Sequence, residues 1–161
     1  MSSSSRAGSA EVLAFTASAE ARPRGGIAIR IPIDPATLWG ERDRYYVTGT
    51  IEQYGMRGVV ESVDGQPYVQ LGPSWCRDPR VGPGTTLRVN LRPEGPQLDT
   101  IGPDFAEALR SNPAARRAFE NQATFYRKAW VTWVEGAKRP ETRATRVAET
   151  VAALNAGRRE R

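Results

Sequence analysis

The chain has 161 residues, of which 39% are hydrophobic and 25% are charged, as is ordinary for a soluble domain. It contains no histidine and one cysteine, Cys76, which excludes an internal disulfide and a zinc site made of nitrogen and sulphur ligands. The Ser/Gly-rich start lacks the apolar segment of a signal peptide, and no stretch approaches the roughly 18 apolar residues of a spanning helix. We therefore expect a cytoplasmic protein with no membrane span, no metal and no other cofactor.

The charge is unevenly distributed along the chain. Residues 1–103 carry 11 basic and 11 acidic side chains, whereas residues 104–161 carry 12 basic and 7 acidic ones, which accounts for the whole net charge of +5. A basic C-terminal part is compatible with phosphate-bearing or acidic partners. We favour the alternative, a solvated helical face followed by a basic tail, residues 158–161.

The first half of the chain is predicted to form strands. Short runs of β-branched and aromatic residues alternate with glycine and proline, which is typical of a small barrel or of two curled sheets. Asp64-Gly65 is the strongest hairpin signal, because both residues tolerate the backbone angles of a tight turn. Asp34 precedes a short helical turn at 35–39, which it can cap. The six predicted strands are 11–16, 26–31, 44–52, 56–63, 66–71 and 85–91.

The second half is predicted to be helical, after a linker rich in proline and glycine at 93–103. Asn112-Pro113 divides two short helices, because proline cannot continue a helix. The last helix is predicted to begin at Pro140 and to stop near Gly157. Two longer helices each carry an apolar series on one face. These series are Phe125, Ala129, Trp133 and Ala137, and Val147, Val151 and Leu154.

Two motifs of the helical half and two of the strand half carry a family resemblance. In the helical half they are Phe105-Ala106-Glu107-Ala108-Leu109 and Ala137-Lys138-Arg139-Pro140-Glu141-Thr142-Arg143, the latter continuing to Arg146-Val147. In the strand half they are Val47-Thr48-Gly49-Thr50-Ile51 and Gly82-Pro83-Gly84. The helical pair resembles the YdeI/OmpD-associated, or bacteriocin-protection, family. The strand pair resembles the small β-barrel domain of unknown function that often precedes it.

The resemblance implies an α+β protein, in which a small six-stranded β-barrel is followed by a C-terminal helical cap of three to four helices. The family name implies a link to tolerance of antimicrobial agents, without a defined reaction. Together with the residue patterns, the resemblance divides the chain into five parts. These are a disordered tail at 1–10, a barrel domain at 11–92, the linker at 93–103, a YdeI/OmpD-associated-like helical region at 104–157 and the basic tail at 158–161.

We expect a binding module whose ligand, a small amphiphilic or anionic molecule or an antimicrobial compound, lies between the barrel and the basic helical cap. Aromatic side chains would supply apolar contact, while cations and the N–H groups at the start of the last helix would neutralise charge. The alternative is that these charges serve the helix end itself. We expect a monomer or a homodimer. The predicted ligand-binding residues are Trp133, Lys138, Arg143, Arg146, Tyr68 and Trp75.

Two other functions stay open. The basic C-terminal helices are compatible with nucleic-acid binding, although they contain no docking motif. An enzyme is less favoured and we assign no catalytic residue, because no histidine can serve Cys76 as a base. A single buried or half-buried thiol is the preferred interpretation of this residue. Three carboxylates near the barrel mouth would suit acid–base work if they were buried, namely Glu52, Glu61 and Asp64. Further candidates for anchoring an anionic group are Arg30, Arg57 and Arg88.

Overall fold

The computed structural model describes residues 7–161, which contain eight β-strands and six α-helices. The chain divides into two compact units. Residues 11–94 form the β unit, and residues 95–161 together with 7–10 form the helical unit. The predicted α+β class is confirmed. Residues 1–6 of the predicted tail lie outside the described residues.

The β unit is built from two four-stranded antiparallel sheets. Its strands are β1 (Leu13–Ser18), β2 (Glu20–Ala21), β3 (Ile27–Arg30), β4 (Tyr46–Ile51), β5 (Tyr54–Val59), β6 (Glu61–Val63), β7 (Gln66–Leu71) and β8 (Thr86–Pro93). The first sheet has the order β1-β8-β4-β5 and the second has the order β2-β3-β7-β6. Two short helices, α1 (Pro35–Trp39) and α2 (Pro73–Arg77), lie between the strands in sequence.

The predicted six-stranded β-barrel is not confirmed, because the described residues, 7–161, form two four-stranded sheets and no closed barrel. Two stretches of strand are each interrupted at one residue. Ala19, which lies beyond the predicted strand 11–16, separates β1 from β2, and Val60, which lies inside the predicted strand 56–63, separates β5 from β6. The interruptions are held by hydrogen bonds, which the Ala19 N–H donates to the Thr85 carbonyl at 2.8 Å and the Val60 N–H to the Tyr45 carbonyl at 3.0 Å. In each case the chain forms an edge strand of the first sheet, β1 or β5, and then an edge strand of the second sheet, β2 or β6.

Alternation along the strands produces the core of the β unit, because successive side chains point to opposite faces. In β8 every second residue is buried, including Leu87, Val89 and Leu91. The predicted hairpin is confirmed, since Asp64 and Gly65 both have positive φ, 51° and 78°. The predicted cap of α1 is confirmed as well, because Oδ1 of Asp34 accepts a hydrogen bond from the N–H of Ala36 at 3.0 Å. Helix α2 was not predicted.

The helical unit contains a 3-10 turn at Leu98–Thr100 followed by four helices. They are α3 (Pro103–Arg110), α4 (Pro113–Asn121), α5 (Thr124–Glu135) and α6 (Pro140–Asn155). The predicted break at Asn112-Pro113, the start at Pro140 and the stop near Gly157 are confirmed. Proline suits the first position of a helix because it has no N–H to leave unpaired, and Gly157 takes a φ of 77° that few other residues adopt.

The predicted apolar face of α5 is not its buried face. Phe125 is 72% exposed, whereas Arg127, Trp130 and Val134 are buried. Arg127 is buried because its guanidinium is satisfied inside the unit: Nε donates to the Gln122 carbonyl at 2.9 Å and Nη1 to that of Pro96 at 2.6 Å. A spacing of four residues defines a helix face, but it does not decide which face turns inward. In α6, by contrast, Val147 and Leu154 are buried as predicted, and Val151 packs against the same core.

The segment predicted as a linker, 93–103, is part of the folded units. Pro93 ends β8, Leu98 is 1% exposed, and Pro103 begins α3. Residues 7–10 are hydrogen-bonded to the same segment, because the Asp99 N–H donates to the Gly8 carbonyl at 3.3 Å and the Asp99 carboxylate accepts from the Ala10 N–H at 3.0 Å.

Among the residues described, no helix has both the length and the apolar character needed to span a membrane.

Candidate functional site

The six predicted ligand-binding residues fall in both units. Tyr68 and Trp75 belong to the β unit, and the remaining four belong to the helical unit. The ligand site predicted between the two domains stays a prediction, and each set of residues has surroundings of its own. The helical set consists of Trp133, Lys138, Arg143 and Arg146.

Arg143 forms the best-defined ion pair of the helical unit. Its Nε and Nη2 donate to the two carboxylate oxygens of Asp104 at 2.6 and 2.8 Å, and Glu135 lies 3.9 Å from Nη2. These bonds hold the pKa of Asp104 below its usual range and raise the pKa of Arg143. Glu135 in turn accepts the N–H of Gly102 at 2.8 Å. Arg143 therefore ties the first turn of α6 to the start of α3 and the end of α5, which is the structural role considered above. Lys138 lies exposed between α5 and α6.

Trp133 and Arg146 are brought together, and Arg161 joins them. Arg146 donates from Nη1 to the Trp133 carbonyl at 2.8 Å, and its Cζ lies 5.3 Å from the centroid of the Trp133 ring. The Cζ of Arg161 lies 5.0 Å from the same centroid. Both distances are within the range of a cation–π interaction. The ring of Trp130 approaches that of Trp133 with a centroid distance of 6.4 Å.

These aromatic rings border a groove of about 280 Å³ in the helical unit, which we call the tryptophan groove. It is lined by Trp130, Trp133, Glu149, Ala153, Arg158 and Arg161. A second cavity of about 230 Å³ shares Trp130 and Arg161 with it, so the two adjoin. Of these residues, the sequence predicted only Trp133. Arg158 and Arg161 were interpreted as a solvated tail, because nothing in their spacing shows that the chain folds back along α5.

Trp130 has an unusual environment for a buried indole. It is 2% exposed, and its Nε1–H has no hydrogen-bond partner among the described residues. A buried donor without a partner costs about 1–3 kcal/mol.

In the β unit, Tyr68 lies in a polar row across the second sheet. Arg30 on β3 and Glu61 on β6 are both register partners of Tyr68, so the three side chains share one face. The Tyr68 hydroxyl bonds the carboxylate of Glu20 at 3.0 Å, which raises the pKa of Tyr68. Trp75 is on α2 and donates from Nε1 to the Gly55 carbonyl at 2.9 Å. Both predicted residues are thus engaged within their own unit.

A cavity of about 490 Å³ lies in the β unit. Arg30, Glu61 and Gln66 line it from β3, β6 and β7. The remaining lining residues come from the segment after β3, the loop before β4, the interruption at Val60 and the β6–β7 hairpin. They are Ile31, Pro32, Ile33, Asp34, Pro35, Asp43, Tyr45, Val60, Ser62, Gly65 and Pro67.

Two of the groups considered for enzyme chemistry, Cys76 and Glu52, have pKa shifts that oppose the proposed roles. Burial raises the pKa of the half-buried Cys76 thiol, which lowers the fraction of nucleophilic thiolate. Glu52 accepts hydrogen bonds from the backbone N–H of Arg88 at 2.7 Å and from its guanidinium at 3.3 Å, and these bonds lower the pKa of Glu52. A general acid at neutral pH needs the opposite shift.

Comparison with known protein families finds one match, which lies within the helical unit. Residues 100–157 match the family model described as bacteriocin-protection, YdeI or OmpD-associated. The predicted resemblance is confirmed for this segment. The YdeI/OmpD-associated segment runs from the 3-10 turn through α6, and it contributes Trp130, Trp133, Glu149 and Ala153 to the tryptophan groove. A comparison with curated proteins finds no match. The resemblance of the β unit to the domain that often precedes this family stays a prediction.

Proposed function

We propose that the protein is a small-molecule binding module that acts in bacteriocin protection or a related stress response, and that the tryptophan groove is its ligand site. The observation that carries this proposal is the juxtaposition of Trp130 and Trp133 with Arg158 and Arg161 in one groove. Ligand pockets are typically aromatic, with a few charged groups that fix orientation. The groove also lies largely within the segment that matches the bacteriocin-protection family.

The chemistry of the lining favours an amphiphilic anion. The Trp133 ring offers apolar contact, and each guanidinium presents five N–H donors in a fork that matches a carboxylate or a sulfonate. Glu149, on α6, also lines the groove and repels a negative group placed near it. The anionic end of the ligand is therefore expected beside Arg158 and Arg161, and its apolar body against Trp133.

The test is titration of the full chain with 2-naphthoate, followed by NMR and calorimetry, with 2-naphthylmethylammonium as the oppositely charged analogue. We expect naphthoate to shift the indole signals of Trp130 and Trp133. The double variant Arg158→Gln/Arg161→Gln should weaken naphthoate binding at least tenfold, about 1.4 kcal/mol.

The matched control is Arg110→Gln/Arg139→Gln, which removes the same charge from exposed positions on α3 and before α6. It should change the affinity for naphthoate less than twofold. Equal losses in the two double variants would show that only net charge matters, and the groove would then not be the site. Tighter binding of the ammonium analogue would also contradict the proposal.

Nucleic-acid binding is the second candidate, and the tail gives it one specific observation. The Cζ of Arg159 lies 6.0 Å from the centroid of the Tyr126 ring, so two arginines of the tail lie over aromatic rings of α5. Aromatic rings interleaved with cations are typical of surfaces that bind single strands. A fluorescent oligothymidylate distinguishes the candidates, because phosphate contacts predict an affinity that falls steeply as salt is raised. Absence of oligonucleotide binding at low salt would remove this candidate.

A further inference from the structure

The 490 Å³ cavity of the β unit is separate from the tryptophan groove and has the size of a small-molecule pocket, for which about 300–1,000 Å³ is typical. Its wall contains charges of both signs. Arg30 supplies a guanidinium, and Asp34, Asp43 and Glu61 supply carboxylates. Apolar surface between these charges comes from Ile33, Val60 and Pro67.

A hydrogen bond to an uncharged side chain orients Arg30. Its Nη2 donates to the amide oxygen of Gln66 at 2.8 Å, which uses one of the five guanidinium donors. Gln66 is uncharged, so this bond orients the side chain and leaves its charge available to an anion. The backbones of Arg30 and Glu61 are two strand spacings apart across β7, about 10 Å. Their long side chains can therefore reach opposite ends of a small ligand.

Two of the three carboxylates, those of Asp34 and Glu61, accept hydrogen bonds from neutral donors. Oδ1 of Asp34 accepts the backbone N–H of Ala36 at 3.0 Å, and Oε2 of Glu61 accepts the side-chain amide of Gln70. Each carboxylate has a second oxygen that can accept a hydrogen bond from an ammonium group. The cavity thus presents a cation and two oriented anions around an apolar surface.

From this arrangement we infer that the cavity binds a small zwitterion with an apolar or basic side chain, of the kind represented by a free amino acid. The ligand carboxylate pairs with Arg30, its ammonium group with Asp34 and Glu61, and its side chain packs on Ile33 and Val60. Because three carboxylates and one guanidinium line the cavity, basic amino acids should bind more tightly than neutral ones, and acidic ones least.

The experiment uses leucine and its two halves as probes of the full chain. 3-Methylbutylamine lacks the carboxylate of leucine, and 4-methylpentanoate lacks its amine. We expect millimolar leucine to shift the amide signals of Ile33, Val60 and Ser62, and to bind at least fivefold more tightly than either half. Lysine should bind more tightly than leucine, and glutamate more weakly.

Two variants assign the ends of the ligand. Arg30→Gln should reduce leucine binding to the level of the amine and leave amine binding unchanged. Glu61→Gln should weaken both leucine and the amine, while binding of 4-methylpentanoate stays the same or improves. Arg92→Gln, an exposed position on β8, is the matched control and should change none of these affinities.

Three results would overturn the inference: no shifts in the cavity with any probe, leucine binding no tighter than its halves, or loss of the Arg30 guanidinium without effect. If Arg30→Gln fails to fold, Arg30→Lys keeps the charge and removes the forked donor, and it should still lower leucine affinity selectively. The tryptophan groove is in the other unit and is tested with naphthoate, so failure of either proposal leaves the other intact.

Discussion

Arg143 holds Asp104 through two parallel hydrogen bonds, the arrangement in which a guanidinium and a carboxylate match best. Arg143 was predicted to bind an anionic ligand, but these bonds give it a structural role instead. Asp104 is in the first turn of α3, where a negative charge is also favoured by the helix dipole. The pair joins two helix starts that are distant in sequence, and this contact could not be predicted from either start alone.

Arg143→Ala should lower the free energy of unfolding by about 1 kcal/mol, because the pair is partly exposed and therefore partly screened. The effect should depend on pH. The pKa of Asp104 is lowered by folding, so its stabilising contribution is present above the ordinary carboxyl pKa and is lost as the pH falls through the lowered value. Urea unfolding at neutral and acidic pH measures this.

The control for this pair is a double-mutant cycle with Asp104→Asn. Both single variants should lose a similar free energy at neutral pH, and the double variant should lose little more than either. Additive losses would mean that Arg143 acts elsewhere. Arg143→Ala should leave naphthoate affinity unchanged, whereas a tenfold loss would return Arg143 to the ligand site.

Cys76 gives a second prediction for a single residue. Burial raises the pKa of its thiol, so less of it is thiolate at neutral pH than in an unfolded peptide. Alkylation by iodoacetamide should therefore be slower in the native protein than in urea, and should accelerate as the pH rises above the usual thiol pKa. Mass spectrometry against time measures both rates. Faster alkylation of the native protein would reopen a catalytic role for Cys76.

Among the secondary structure elements, α5 has two apolar faces, of which one is buried and the other is exposed. The face with Trp130 and Val134 is buried in the core of the helical unit. The face with Phe125 is exposed, and the Phe125 ring packs edge-on against Tyr126 at 5.3 Å between centroids. Arg127, a charged residue on the buried side, is accommodated because backbone oxygens accept its hydrogen bonds.

A pair of alanine variants separates the two faces. Val134→Ala should destabilise the protein by about 2 kcal/mol, because it removes buried methyl groups and leaves a cavity. Phe125→Ala should change stability by less than about 0.5 kcal/mol, as is usual for exposed positions. Thermal or urea unfolding monitored by circular dichroism gives both values. A larger loss from Phe125→Ala would show that the predicted face is the one that supports the fold.

Across the whole molecule, the two units differ in the charges that line their cavities. The net charge resides in residues 104–161, where the tryptophan groove offers arginines to an anion. The β unit carries the cavity with charges of both signs, and acids predominate among its charged lining residues. The two proposed sites therefore differ in the ligands they favour, so one panel of probes can test both.

Much of the fold followed from local rules. The sequence predicted four features that each depend on a few neighbouring residues. They are the alternation along β8, the Asp64-Gly65 turn, the Asp34 cap and the helix starts at Pro35 and Pro140. The structure explains why residue 49 is glycine, which the sequence does not reveal. A side chain at this position would meet the carbonyl oxygen of Asn90 on the adjacent strand. The interruptions at Ala19 and Val60 were missed, because hydrogen bonds to other strands hold them.

The α+β class, the positions of most elements and the family resemblance of the helical segment can be inferred from the sequence, as can the lack of histidine chemistry. These properties follow from composition and from patterns within a few residues. The three-dimensional fold was needed to show that Arg143 pairs with Asp104, that Arg161 lies over Trp133, and that Arg30 and Glu61 share a cavity. Each of these contacts joins residues far apart in the chain, where the balance of packing and electrostatics depends on the whole fold.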